Sequence, residues 1–217
     1  MLTIKSLYDL EHTLAKDYLS QFTYPWEALK GIKDLILTLG ASLGDEYEQV
    51  SPQVWVHKTA CVYPSAYLGA PCIIGPEAEV RHCAFIRGSA LVGAGCVVGN
   101  STELKNVILF DKVQVPHYNY VGDSILGYKA HMGAGSITSN VKSDKSLVVI
   151  HGQEEIPTGI KKVGALLGDY VEVGCNSVLN PGTVIGRNSN VYPTSCVRGV
   201  VPENSIYKKN DTIVAKR

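Results

Sequence analysis

The stretch VPHYNYVGDS, residues 115–124, gathers one histidine, two tyrosines, an asparagine and an aspartate within ten positions. An imidazole has an ordinary pKa of about 6.5, so a histidine can take a proton at neutral pH. Val115 and Val121 stand six residues apart on either side of His117. The histidine is therefore either ordinary surface or a base set on a regular scaffold, and the rest of the chain must decide. Metal chemistry is poorly served. The six cysteines, Cys61, Cys72, Cys83, Cys96, Cys175 and Cys196, include no C-x-x-C pair, so a zinc site is weakly supported. A three-histidine site would need His82, His117 and His131 to converge, and the sequence lacks a close histidine pair.

The elements that must position these residues follow two rhythms. In residues 1–50, Leu7, Leu10, Leu14 and Leu19 approximate one helical face, and Trp26, Leu29, Ile32, Leu35 and Ile36 a second, which predicts a short helical segment. Pro25 suits the first turn of the second helix. From Val56 the period changes to six. Val56, Val62, Leu68, Ile74, Val80, Ile86, Val92, Val98 and Leu104 follow without a miss. Two steps of five then lead through Leu109, Val115, Val121, Leu126 and Met132, and a second series runs Leu167, Val173, Leu179, Ile185, Val191, Val197. In a chain 45% apolar, nine hits at one spacing come to roughly one in a thousand by chance in a given register.

Ten glycines, Gly75 and Gly99 among them, directly follow such a position. There the chain must turn with φ > 0 or pass close to itself. Two positions before it the residue is often small: Ala66, Cys72, Ala78, Ala84, Ala90, Cys96. Six is the period of neither helix nor plain sheet. Short strands and turns with one aliphatic residue pointing inward each time predict a parallel β-helix over 51–205, with 206–217 as a tail. The beat fails between Thr138 and Leu167. That predicts a long loop excursion at about 139–166, of the kind that serves a site or an interface, in which KSLVVIHG has strand character.

Composition narrows the function classes. The formal net charge is +0, so no broad attraction to nucleic acid or anionic membrane is expected. No apolar run approaches the roughly 20 residues of a spanning helix. The charged N-terminal stretch has no signal-peptide core, so a disulfide framework is not expected. The expected location is cytoplasmic, with the cysteines as small packing residues.

The hexapeptide pattern resembles the left-handed β-helix. Stretches 87–140 and 158–200 resemble the acetyltransferase domain of bifunctional sugar-1-phosphate enzymes, which join a glucosamine-1-phosphate acetyltransferase to an N-acetylglucosamine-1-phosphate uridyltransferase. HYNYVGD supplies the family's catalytic histidine, tyrosine and Gly-Asp as His117, Tyr120, Gly122 and Asp123. MGAGSITSN supplies the glycine-rich hexapeptide and Asn140, and Arg87 and Lys105 fall where the family binds phosphate. The segment TGIKKVGALLGD is most similar to the archaeal branch.

The chain departs from the family at three places. His131 replaces an asparagine, Val141 replaces an aromatic residue, and the expected substrate lysine falls on Ser146 with Lys145 beside it. No nucleotidyltransferase signature opens the chain, so that activity is not expected.

The resemblance implies an acetyl-CoA-dependent N-acetyltransferase acting on an amino-sugar phosphate or a nucleotide amino-sugar. His117 would be the general base in a direct transfer that needs no metal. Arg87, Lys105, Tyr120, His131, Asn140 and Lys145 would bind the sugar. Ala134, Cys175 and Pro193 would line the acetyl-CoA channel between subunits of a homotrimer. Asp123 is too acidic to be the first choice of base and would orient a neighbour or cap a turn. A non-catalytic prism that binds a sugar nucleotide is the alternative, and a carbonic-anhydrase-like metalloenzyme on the same fold ranks below it.

Overall fold

A computed structural model of the protein describes residues 2–208 and 212–216. The six-residue beat is a β-solenoid of about nine turns. Val54 pairs in parallel with Cys72, Cys72 with Ala90, Ala90 with Val107 and Val107 with Ser124. The coil is thus 18 residues long at first and shortens to 17 where the two five-residue steps occur. Ile74, Val92, Leu109, Leu126, Leu167 and Ile185 are fully buried along the prism axis.

Each coil contributes a strand to three faces. The first face carries Val97–Asn100, Gln114–His117 and His131–Met132. Phe85–Ile86 lies on the second face and Ala90–Val92 on the third. Glu103–Leu109 and Tyr120–Leu126 bend from the second face into the third. Most corners hold a non-glycine residue at positive φ, such as Tyr118 (52°), Asn176 (54°) and Thr194 (60°). Each of these three donates its amide to the coil before it, at 2.8 Å, which offsets the cost of the left-handed conformation. The glycines that follow the beat serve close approach instead. A Cβ on Gly99 would lie 1.6 Å from the carbonyl oxygen of Pro116 on the next coil.

The excursion leaves after Thr138 and folds a hairpin of Val149–His151 against Glu155–Pro157 outside the prism. The solenoid resumes as if uncut, with Leu166 pairing directly with Ile125.

The N-terminal segment differs from two simple helices. It forms short pieces, Ile4–Leu7, Leu10–His12 and Lys16–Leu19, then Pro25–Gly31 running into Ile32–Ser42. Leu14 is exposed, because no continuous helix exists there to bury it. The pieces are held by the prism's own backbone: Asp111 donates its amide to the His12 carbonyl and Asp169 donates to that of Leu7. The outward residues of the third face, Ile73, Leu91, Ile108, Ile125 and Leu166, are buried in one cluster with Ile4, Leu7, Leu29, Ile32 and Ile36. Each covered side chain contributes about 1.5–3 kcal/mol, so the segment and the solenoid share a core.

The end of the segment expected as helical, residues 47–50, belongs instead to a strand, Tyr47–Ser51, antiparallel to Val54–His57. Ile213–Ala215 folds back on Ser205–Tyr207. One strand at each end of the solenoid, Val54–His57 and Ser205–Tyr207, thereby gains an antiparallel cover, which protects an edge that would otherwise pair with other chains.

Candidate active site

Parallel stacking converts sequence intervals into columns. The corner between the first and second faces carries His117, whose backbone pairs with Asn100. The strand registers place Ala134, Cys175 and Pro193 beneath it on successive coils. Asn119 fixes this corner. It is 2% exposed, its Oδ1 accepts the His117 amide at 3.1 Å, and its Nδ2 donates to the carbonyls of Gly133 and Ser136 at 2.9 and 3.0 Å. Nothing in the six-residue pattern singles out Asn119; its one signal is a polar residue inside a stretch otherwise committed to turn and strand. The His117 side chain is exposed and has no hydrogen-bond partner among the described residues.

The corner between the second and third faces carries Arg87, Lys105, Asp123 and Asn140. Lys105 pairs in register with Gly122. Asp123 is the hub. Its carboxylate is 5% exposed and accepts from Lys105 Nζ at 3.0 Å, Asn106 Nδ2 at 2.9 Å and Asn140 Nδ2 at 2.5 Å. Asp123 therefore orients neighbours. Arg87 leans over the second face to Glu103, 2.8 Å away. The Glu103 hydrogen bond and charge hold the Arg87 guanidinium above its usual pKa.

Tyr120 stands on the face between the two corners. Burial, and then the charges of Asp123 and Glu103, push its phenol up, so it stays protonated at neutral pH. Asn140 Nδ2 donates to its hydroxyl at 3.3 Å.

Two of the expected sugar contacts lie elsewhere. Lys145 is an exposed turn residue at φ 57° in the excursion. The lysine brought beside Asn140 is Lys162: Val141 and Lys162 form a β-bridge, and Val163 donates its amide to the Asn140 carbonyl at 3.1 Å. Lys162 lines a cavity of about 420 Å³ with Lys105, Asn106 and Asp123. Its signal lay in the return of the excursion, since residues just before the beat resumes must rejoin the corner they left.

His131 points out from the first face, with Nδ1 2.7 Å from Glu172 Oε2. It borders a groove of about 480 Å³ with Gly133, Glu172, Cys175, Asn190 and Pro193. His131 thus accompanies the residues expected to hold acetyl-CoA and lies away from Lys105 and Asn140. No group of three potential metal ligands gathers among the described residues.

The cysteines divide. Cys72 and Cys96 fill the core, where burial pushes each thiol up to about 12, while Cys61, Cys83, Cys175 and Cys196 are exposed. No helix among the described residues is long and apolar enough to cross a membrane.

The fold and the two columns define a hexapeptide-repeat β-solenoid with one charged and one grooved corner. A family model described as the GMPPB C-terminal domain matches residues 50–155. The chain is homologous to the C-terminal acetyltransferase region of GlmU proteins over about half of its length. It is 32% identical over 115 residues to the bifunctional protein GlmU of Methanococcus maripaludis, a match covering 52% of this chain and 28% of that one. It is 30% identical over 106 residues to a bifunctional sugar-1-phosphate nucleotidylyltransferase/acetyltransferase of Sulfurisphaera tokodaii, covering 48% and 26%. The chain thus matches little more than a quarter of these relatives' length. Among solved structures, the polysialic-acid-specific acetyltransferase NeuO aligns at 14% identity and TM-score 0.46, covering 72% of this chain and 80% of that one.

Proposed function

We propose that the protein is an acetyl-CoA-dependent N-acetyltransferase acting in the cytoplasm on an amino-sugar phosphate or a nucleotide-linked amino-sugar. One observation carries the reading: a histidine column and a cation column border the same face, with Tyr120 between them. The five residue steps from His117 to Gly122 span no more than about 17 Å, and Arg87 reaches inward over that span. The sugar lies across the second face, with its phosphate toward Arg87, Lys105 and Lys162 and its amine toward His117. Arg and Lys recognise phosphate as a fork and a point charge respectively. The Ala134, Cys175 and Pro193 column, with the groove that includes His131, holds acetyl-CoA.

The neutral amine attacks the thioester carbonyl, and His117 takes the amine proton as the N–C bond forms. Collapse of the tetrahedral intermediate breaks the C–S bond, and the departing thiolate takes the proton that His117 removed from the amine. Binding both partners on one rigid face supplies much of the rate by proximity. No covalent enzyme intermediate is required, and transfer needs no metal. A homotrimer of parallel prisms would close the acetyl-CoA groove with a neighbouring subunit, and the exposed Tyr67 and Phe85 give the second face apolar surface for such a contact.

A second reading is a non-catalytic prism that binds a sugar nucleotide. It is favoured by the absence of an orienting partner for the His117 side chain among the described residues and by the pairing of Arg87 and Lys105 with carboxylates. Thiol release from acetyl-CoA with glucosamine 1-phosphate and galactosamine 1-phosphate separates the two. The enzyme releases thiol, and His117→Ala lowers the rate by about 10²–10⁴-fold with the fold intact. Absence of thiol release across a panel of amino-sugars leaves the binding prism.

A further inference from the structure

The charge at the cation corner is not where the six-residue repeat puts it. Arg87 is paired with Glu103 and Lys105 with Asp123, so these four residues sum to no net charge. The surplus lies just outside, in the cavity of about 420 Å³, whose lining includes Lys30, Lys161 and Lys162. None of these three has an acidic partner within ion-pair distance among the described residues. Asp123 is the one carboxylate in that lining, and its oxygens are already occupied by Lys105, Asn106 and Asn140.

Three parts of the chain converge there. Leu29 and Lys30 come from the N-terminal segment, Lys105 and Asn106 from the prism corner, and Lys161 and Lys162 from the returning end of the excursion. The wall contributed by the N-terminal segment is fixed, since Asn106 Nδ2 donates to the Leu29 carbonyl at 3.2 Å while also holding Asp123. Leu29 is 2% exposed, which anchors Lys30 at the rim. The cavity is larger than one phosphate needs and falls within the ~300–1,000 Å³ range of small-molecule sites.

We propose that this cavity takes a diphosphate, one phosphoryl group at Lys105 and Lys162 and a second at Lys30 and Lys161. The N-terminal segment is then part of the binding site as well as a cover for the third face. The inference rests on the reading that phosphate binds at this corner. It assigns the substrate to the class of sugars activated through a diphosphate, as in a nucleoside diphosphate sugar.

The test compares inorganic phosphate and pyrophosphate binding to the full chain by calorimetry at about 0.15 M salt, where long-range attraction is screened. The wild type binds pyrophosphate at least tenfold more tightly than phosphate. Lys30→Ala weakens pyrophosphate five- to tenfold and phosphate less than twofold, and Lys33→Ala, on the same segment but outside the cavity, changes neither. Equal losses for both anions in Lys30→Ala, or no loss for either, overturn the proposal. Acetyl transfer is scored separately. Pyrophosphate selectivity that depends on Lys30 in a protein without transferase activity upholds this site and removes the catalytic reading. Transfer to a sugar monophosphate without that selectivity does the reverse.

Discussion

Replacing Asp123 by Asn tests whether the buried carboxylate organises the cation corner. The amide keeps the size of the side chain, and asparagine tolerates the positive φ of 48° at this position. Two things change. Lys105, 30% exposed at its side chain, loses its partner. One of the two oxygens becomes an NH₂ group facing an asparagine donor, because both carboxylate oxygens accept from asparagine amides. Hydrogen bonds to a charged group are worth about 1.5–3 kcal/mol each, and breaking a buried ion pair costs about 3–5 kcal/mol. Water reaching Lys105 recovers part of this, so the net loss is about 2–4 kcal/mol. Urea unfolding reads it as a lower midpoint at unchanged slope. Lys105 and Asn140 are both released, so the KM for the amino-sugar rises about 10–30-fold, a loss of about 1.4–2 kcal/mol in binding. The KM for acetyl-CoA stays within about twofold. Unchanged stability, or equal rises in both KM values, would refute the reasoning.

Other expectations follow from the same geometry. Lys162→Ala raises the KM for the sugar about tenfold while Lys145→Ala leaves it unchanged, as steady-state kinetics can establish. In Gly164→Ala the new Cβ would lie 2.1 Å from the Gly122 carbonyl oxygen and 2.2 Å from Ser124 Oγ. Overpacking of that kind costs about 1–3 kcal/mol, and the displaced excursion abolishes sugar binding in calorimetry while acetyl-CoA binding survives. Tyr8 is fully buried and its phenol is pushed well above 10 by burial and by Asp169. The unfolded chain therefore loses this proton first. The stability Tyr8 contributes is complete below about pH 10 and is lost as pH rises toward its folded pKa. Tyr8→Phe flattens the alkaline slope by up to about 1.4 kcal/mol per pH unit, measured by denaturation at pH 9–11.

The solenoid was legible because a single inward residue per strand leaves a strict trace, and even the shortening of the coil to 17 residues stood in the two steps of five. Columns followed from that trace: once Arg87 and Lys105 are known to be one coil apart, their stacking is a consequence of register. The N-terminal pieces were less legible. Their ends are fixed by bonds from the distant Asp111 to His12 and from Asp169 to Leu7, and local periodicity carries no record of such partners. Six residues on from Asn140 the sequence reaches Ser146, with Lys145 beside it, whereas the chain returns to that corner only at Lys162. His131 sits in the strand of the first face, where alternation sends its side chain outward to Glu172 and the groove we propose for acetyl-CoA.

A crystal structure of the protein with coenzyme A and glucosamine 1-phosphate tests the central claim most directly. The account predicts coenzyme A along Ala134, Cys175 and Pro193, the phosphate on Arg87, Lys105 and Lys162, and the amine about 2.6–3.2 Å from an imidazole nitrogen of His117. A sugar bound with its amine out of reach of His117, or coenzyme A seated away from that column, would contradict it.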